Sequence, residues 1–371
     1  MVCSIEMLHL KKWRELFEIN MKIIITGGAG FIGSNLIKVF LKNKKFQILN
    51  YDALKYSANL ESLSLEQKNK NYSFFKGDIC NDVIFLKLLK NYRPDAIVNL
   101  AAESHVDRSI DNPAPFLQTN IFGTFSLLKA SFAYWKELSK KKKKSFRFLH
   151  VSTDEVYGDL SNKAKPAQET TSYDPSSPYA ASKASSDHLV MAWNKTFNFP
   201  AIITNCSNNY GPYQHPEKFI PHVIMSALSK KKIPIYGDGK QIRDWIHVED
   251  HANGILKVLL KGKIGETYNI GASNQKKNLE IAVLICRILD KLIKNKKEKT
   301  YSDYIHFVYD RPGHDKRYAI NANKIKKLGW EPIRKFQKGL FETVTWYLNN
   351  EAWWNEILKK KYKLKRIGKN K

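Results

Sequence analysis

Asp154 and Glu155 stand side by side directly behind Thr153, where an apolar run from Phe146 to Val151 ends. Strands of an open α/β sheet carry their chemistry at their carboxyl ends. Two adjacent carboxyls repel and resist ionising together. In a shielded cleft one can therefore hold a proton while the other accepts one. Eliminating water from a sugar requires that division. A lone Asp-Glu pair is more often a solvated loop or a helix cap, and the chemical reading gains its weight from the other residues of this chain.

A second constellation is Tyr179 and Lys183, whose spacing on a helix stacks phenol and ammonium on one face. The same spacing also occurs at Tyr51/Lys55, Tyr72/Lys76 and Tyr236/Lys240, so spacing alone is a cheap signal. Only Tyr179 opens a long helical stretch, with Ser177 as N-cap and Pro178 at the first helical position. A free phenol titrates near about 10, too high for a base at neutrality. A neighbouring Lys⁺ and the positive charge of an oxidised nicotinamide both favour tyrosinate. Thr153, at the end of the preceding strand, is placed to hydrogen-bond the same substrate hydroxyl.

A nicotinamide cofactor is indicated independently. Gly28, Gly30 and Gly33 fit G-x-G-x-x-G, and Gly27, Gly30 and Gly33 fit G-x-x-G-x-x-G, between an apolar strand and a helix. Missing side chains let backbone approach a diphosphate at a helix N-terminus. Asp52 ends the next strand, where a carboxylate suits an adenosine ribose and disfavours a 2′-phosphate, so NAD is expected over NADP.

The elements needed to position these groups follow in order. Strands are expected at Met21–Thr26, Phe46–Asp52, Tyr72–Gly77, Ala96–Leu100, Phe146–Val151 and Ala201–Cys206. Helices are expected at Ser34–Leu41, Asp82–Asn91, Pro115–Lys136 and Pro178–Phe197. This alternation predicts an α/β fold, a Rossmann-type doubly wound parallel sheet, with a smaller C-terminal α/β substrate-binding domain. In the latter, short strands (Ile233–Tyr236, Thr267–Ile270, Ile305–Val308) mix with helices Ile220–Ser229, Leu279–Lys294 and Gly339–Asn349. The expected division is an N-terminal extension over 1–20, an NAD-binding domain over 21–205 with segments of about 240–275 returning to it, a nucleotide-sugar-binding region over 206–350, and a basic tail over 351–371. Lysine runs at Lys140–Lys144 and Lys291–Lys299 read as solvated loops. Met21 directly precedes the first strand, and residues 1–20 are expected to be dispensable.

The net charge of +27 invites a nucleic-acid partner. Lysine outnumbers arginine 52 to 10, however, and arginine is the residue expected for phosphate forks and base edges. A solvated lysine-rich surface is the better reading, so no nucleic-acid partner is expected; no apolar run approaches the roughly 18 residues needed to span a bilayer, so no membrane is expected either. Four scattered cysteines suggest neither a disulfide framework nor a metal site, and fit a reducing, cytoplasmic setting.

Together these features resemble the extended short-chain dehydrogenase/reductase superfamily. Several further segments resemble, within it, the dTDP-glucose 4,6-dehydratase family: Leu100 to Ser109 (LAAESHVDRS), Ser152 to Asp159 (STDEVYGD), Cys206 to Lys218 (CSNNYGPYQHPEK), Gln241 to Trp245 (QIRDW) and Asp310 to Asp315 (DRPGHD). The likeness runs from about Met21 to Tyr347. Phe219 departs from the family's usual leucine.

The resemblance implies an NAD site of Gly27, Gly30, Phe31, Ile32, Gly33, Asp52, Ala53, Leu54, Lys55, Asp78 and Ile79. It adds Leu100, Ala101, Ala102, Glu103, Ser104, Thr119, Tyr179, Lys183 and Asn209. Ser104, Thr153 and Asn208 would hold the glucose; Lys218, Arg243 and Arg311 would meet the diphosphate. Pro234, Ile235 and Tyr236 would form the base pocket, with Asn278 and His314 nearby, and Phe219, Asp310, Pro312 and Gly313 would also contact the substrate. The implied reaction is oxidation at C4 of a nucleotide sugar, elimination across C5 and C6, and return of hydride to C6. Tyr179, assisted by Lys183 and Thr153, would serve oxidation, with Glu155 as base and Asp154 as acid for elimination. A homodimer through Pro115–Lys136 and Pro178–Phe197 is implied as well. A 4-epimerase would need only Tyr179, Lys183 and NAD, and a dinucleotide-sensing regulator could dispense with both residues. A uridine nucleotide sugar remains a rival to the thymidine one.

Overall fold

β1 (Met21–Thr26) is flanked on one side by β2 (Phe46–Asp52) and β3 (Tyr72–Lys76), and on the other by β4 (Ala96–Asn99), β5 (Arg147–Thr153) and β6 (Ala201–Cys206). A seventh strand, β10 (Thr267–Ile270), closes the edge beside β6, and every pairing in this sheet is parallel. The order β3-β2-β1-β4-β5-β6-β10 reverses between β1 and β4, the crevice where such sheets bind their ligands. This is the computed structural model of the chain, and it describes residues 20–293, 300–360 and 362. All but the last residue of the expected 1–20 extension, most of the lysine run at 291–299, and the residues beyond Tyr362 lie outside the described residues.

Helices cover both faces because the strands are apolar on both sides. On one face α1 (Phe31–Leu41) and α6 (Val248–Lys261) bury Leu36, Phe40, Ile255 and Leu259 against Ile23, Ile25 and Val98. On the other, α2 (Asp82–Tyr92), α3 (Gly123–Glu137) and α4 (Pro178–Phe197) bury Phe85, Leu127, Leu128 and Val190 against Ile24, Ile97 and Phe148. The long helical stretch expected from Pro115 is continuous, although residues Leu117–Phe122 wind as a π-helix before α3 begins. The run Lys140–Ser145, expected as a loop, is a short helix capped by the Ser139 hydroxyl.

A second, smaller core gathers α5 (Phe219–Leu228), α7 (Asn278–Leu292), α8 (Phe336–Asn349) and α9 (Glu351–Lys360) around Trp245, Tyr210 and Tyr347. Its strands form two ribbons, β7 (Asn208–Tyr210) with β9 (Ile242–His247) and β11 (Gln275–Lys277), and β8 (Ile233–Tyr236) with β12 (Ile305–Val308). The expectation of a basic tail from residue 351 needs correction here. α9 is folded, and Trp354, Ile357 and Tyr362 are buried. Trp353 Nε1 also donates to the Ser62 hydroxyl at 3.2 Å, so this last segment touches both units.

Candidate active site

One cavity of about 440 Å³ opens at the sheet's switch point and runs beneath the smaller unit. Its first wall is the turn from β1 into α1. Gly27 has φ +70°, and a Cβ there would lie 2.7 Å from the Ala101 nitrogen; a Cβ on Gly33 would lie 2.2 Å from the Gly27 oxygen. Only glycine permits this turn to close against the chain after β4. No side chain caps α1, whose N-cap is Gly30, so its first turn meets the cavity with free polarity suited to a diphosphate. Asp52 lines the same wall and also supports it, accepting from the Ala29 nitrogen at 2.9 Å and the Leu54 nitrogen at 2.7 Å. Lys55 reaches Thr119 Oγ1 at 2.9 Å and Asp78 at 3.4 Å, closing the far end. These residues fit an NAD molecule, with a neutral turn for its diphosphate and a carboxylate for its ribose.

β5 delivers the chemistry. Thr153 caps a 3-10 turn, Asp154–Tyr157, its hydroxyl accepting from the Glu155 nitrogen at 3.3 Å. Asp154 is 3% exposed. Burial, then the Glu155 charge, hold its carboxyl well above the ordinary range. Glu155 is also raised by burial, but Arg311, Arg243 and Lys218 all oppose the rise. Asp154 thus faces two carboxyls, Glu155 and Asp244, against Arg243, while Glu155 faces Arg311, Arg243 and Lys218. The pair's environments favour a protonated Asp154 beside an ionised Glu155.

α4 begins at the same end of the sheet, with the Ser177 hydroxyl accepting from the Ala180 nitrogen at 3.1 Å. It brings Tyr179 and Lys183 to the cavity wall. Burial and then Glu155 push the Tyr179 phenol well above its usual value, and a hydrogen bond with Thr153 opposes them. Lys183 donates to the Val151 carbonyl at 2.9 Å, and burial lowers its ammonium. A base of this kind needs added positive charge, which an oxidised nicotinamide carries.

The smaller unit supplies cations. Lys218 Nζ donates to the Ser104 carbonyl at 2.6 Å, and Arg243 donates to the carbonyls of Ile242 and Asp315 while lying 4.2 Å from the Tyr318 ring. Arg311 pairs with Asp107 at 2.7 Å, and its buried Nε has no hydrogen-bond partner. Tyr236 donates to the other Asp107 oxygen at 2.9 Å. Three cations over one end of the cavity suit a nucleotide diphosphate.

Of the residues singled out from sequence, Ser104, Asn208, Asn209, Phe219, Pro234, Asn278 and His314 also line this cavity, as do Phe31, Ile32, Ala53, Ile79, Thr119 and the run from Leu100 to Glu103. Five do not. Ile235 is 1% exposed and points into the smaller core, as alternation along β8 dictates once Pro234 and Tyr236 face the cavity. Leu54 sits in a left-handed conformation, φ 56°, and touches the wall only through its nitrogen on Asp52. Asp310 stands behind the wall, holding His314 at 2.5 Å and Gln241 at 2.9 Å, and Pro312 and Gly313 complete that loop without lining the cavity.

Sequence reasoning missed other lining residues. Asp107 and Glu217 lay inside quoted segments but were given no role; Glu217 pairs with Arg108 at 2.9 Å. Tyr318 and Cys206 also line the cavity. Tyr362 carried no sequence signal, yet it hydrogen-bonds His222 Nδ1 at 3.1 Å at the cavity's edge.

The profile of the family described as GDP-mannose 4,6 dehydratase matches residues 24–343. A dTDP-glucose 4,6-dehydratase of Escherichia coli is 51% identical over 359 residues, covering 94% of this chain and 99% of that protein. The crystal structure of the dTDP-glucose 4,6-dehydratase from Bacillus anthracis in complex with NAD is 44% identical. It superposes with a TM-score of 0.80 over 91% of this chain and 99% of its own. The Streptomyces venezuelae dTDP-glucose 4,6-dehydratase with NAD bound is 38% identical, with a TM-score of 0.82 over 91% of this chain and 100% of its own.

Proposed function

The chain belongs to the dTDP-glucose 4,6-dehydratase family, and from that premise we propose how its own residues carry the reaction. The enzyme is an NAD-dependent hydro-lyase that converts dTDP-glucose to dTDP-4-keto-6-deoxyglucose and water, the first dehydrating step toward a deoxysugar. The observation that carries this reading is the unequal pair at the end of β5, a buried Asp154 facing two carboxyls against Arg243 and a Glu155 facing Arg311, Arg243 and Lys218.

NAD, when bound along the Gly27–Gly33 turn, supplies an acceptor for the C4 hydride and gives that hydride back to C6. Tyr179 takes the proton of the 4-hydroxyl, with Thr153 orienting that hydroxyl and Lys183 favouring the tyrosinate. The C5 hydrogen becomes acidic only once C4 is a ketone, so Glu155 acts second and removes it. Asp154 then donates its proton to the departing 6-hydroxyl, and as hydride is returned to C6 Glu155 gives the C5 proton back. Lys218, Arg243 and Arg311 hold the diphosphate, while Pro234, Phe219 and Tyr236 enclose the base. Thymidine is taken as that base from the relatives' substrate. A 4-epimerase has no use for the carboxyl pair. Incubation with dTDP-glucose and UDP-glucose in parallel, with products read by mass spectrometry, tests the proposal. Loss of 18 mass units from the thymidine substrate is expected, and an isomer of unchanged mass would overturn it.

A homodimer is proposed through α3, the preceding π-helix and α4. Leu117, Phe122, Phe125 and Phe197 are exposed there on one apolar face, Phe122 to 57%. Phe122→Glu is expected to give a monomer by light scattering, and a wild-type monomer would dismiss the interface. No described helix is long and apolar enough to cross a membrane, and the NAD requirement fits a cytoplasmic enzyme.

A further inference from the structure

One turn beyond Lys183 on α4, Asp187 is 1% exposed and lies behind the cavity wall. Its Oδ2 accepts from the Ser152 hydroxyl at 2.7 Å and the Tyr173 phenol at 3.0 Å, whereas its buried Oδ1 has no hydrogen-bond partner. A buried carboxylate so incompletely satisfied requires a compensating charge. His150 lies between the two helix residues, with Nε2 3.4 Å from Asp187 Oδ1 and 3.4 Å from Lys183 Nζ.

The surrounding bonds show that His150 is not that charge. Thr26 donates its hydroxyl to Asn99 Oδ1 at 2.6 Å, which leaves the Asn99 amide nitrogen to donate to His150 Nδ1 at 3.0 Å. Nδ1 is therefore an acceptor. Ser186 uses its own proton on the Lys183 carbonyl at 2.8 Å, so its oxygen accepts from Nε2 at 3.2 Å. The proton sits on Nε2, and the ring is neutral. Burial and the Lys183 charge lower His150 to about 4, in the same sense.

The cation left to answer Asp187 is Lys183. Groups on the cavity side work against the charge balance Tyr179 needs: Glu155, Cys206 and Asp154 all raise its phenol, and a Thr153 hydrogen bond opposes them. Tyr157 and Tyr173 face Asp187 from beyond β5 without adding a positive charge, and Glu169 stands near Tyr157. Burial disfavours the Lys183 ammonium, and Asp187 is the first group that restores it.

We propose that Asp187 is a positioning residue acting through Lys183: across neutral His150 it is the counter-charge that keeps the lysine ionised inside the wall, and it thereby sets the acidity of Tyr179. The proposal rests on the roles given above to Tyr179 and Lys183, and it extends the site into a buried chain running from Thr26 through Asn99 and His150 to α4.

Two measurements test it, and the first does not depend on turnover. Melting temperatures of Asp187→Asn, Lys183→Met and the double variant form a cycle. Each single change leaves one buried charge unanswered, so each is expected to melt lower, and the double is expected to regain part of the loss. A double variant as unstable as the two losses added would overturn the proposal, whatever Tyr179 does. Should Asp187→Asn fail to fold alone, its effect in the Lys183→Met background carries the same test. The second measurement is the pH dependence of single-turnover C4 oxidation. Asp187→Asn is expected to move the acidic limb upward by about one pH unit, the size of a nearby-charge effect. Tyr173→Phe removes a neutral donor and keeps the charge, so its limb should stay in place. An unmoved limb in Asp187→Asn would reduce the residue to a structural support.

Discussion

Asp154 and Glu155 are neighbours in the chain but not in electrostatic surroundings. Asp154 lies against Glu155 and Asp244, while Glu155 lies within the field of Arg311, Arg243 and Lys218. Substitutions should therefore separate the steps. Glu155→Gln is expected to permit C4 oxidation, seen as enzyme-bound NADH absorbance, while exchange of the C5 hydrogen with deuterated water falls by about 10²–10⁴-fold. Asp154→Asn should retain both oxidation and exchange and lose water release by a similar factor. Tyr179→Phe should give no NADH signal at all. Full turnover in Glu155→Gln would return the pair to the status of a turn cap. The sign of the pH effect follows from the raised Asp154 carboxyl. Elimination holds while Asp154 is protonated and falls as pH rises through its pKa, so the alkaline limb should vanish in Asp154→Asn. The pair was legible as a candidate because the glycine turn, Asp52 and the Tyr179/Lys183 spacing agreed with it, and its roles came from the family resemblance. Asp107 and Tyr318 were not, since neither has a spacing that marks it, and only folding brings Asp107 to Arg311 across 204 residues.

Most strands of the first two hundred residues were readable from their apolar runs, and α2 and α4 from side-chain caps at Asn81 and Ser177. Beyond Cys206 the signal thins. α6 was foreseen only as a segment returning to the sheet, although Val248, Ala252, Ile255, Leu256 and Leu259 repeat at helical spacing and pack on β1 and α1. α9 misled more, because its lysines suggest a solvated tail while Trp354 belongs to the smaller core and Leu358 packs against it. Composition averages over a helix's two faces and so conceals the buried one. Trp354→Ala is expected to cost about 3–5 kcal/mol of stability, as a large ring leaving a packed core does, measured by denaturant unfolding. Tyr362→Phe keeps the ring against His215 and His222 and removes the hydroxyl that bonds His222 Nδ1. It should cost about 1–3 kcal/mol of stability, the penalty of leaving a partly buried partner unmatched. An unchanged unfolding midpoint would confine Tyr362 to packing.

Across the whole molecule the buried histidines set a common limit. His150, His215, His222 and His247 are lowered to about 4 and His251 to about 3, each first by burial. They lie in both units: His150 behind the catalytic helix, His251 bonded to Asn209 at 2.9 Å, His215 and His222 beside Tyr362. In the unfolded chain such groups titrate near about 6.5. Below that value the unfolded chain takes up protons that the folded one refuses. Their stabilisation is thus fully present above about 6.5 and is lost as pH falls toward the folded values. At pH 5 each group has forfeited about 2 kcal/mol. Asp244, raised to about 6, works in the opposite direction. As pH falls it takes its proton first in the folded state and recovers about 1 kcal/mol by pH 5. Asp154, Glu155, Asp250 and Glu103 add to that recovery and His105 and His314 add to the loss, so seven lowered histidines stand against five raised carboxyls. Stability should therefore drop steeply between pH 6.5 and 5, well above the range where surface carboxylates protonate. Thermal melts of the NAD-loaded enzyme at half-unit steps from pH 7.5 to 5 provide the measurement, and His251→Asn should flatten the slope. A melting temperature that holds or rises as the pH drops would mean that the buried carboxyls, not the histidines, govern the acid response.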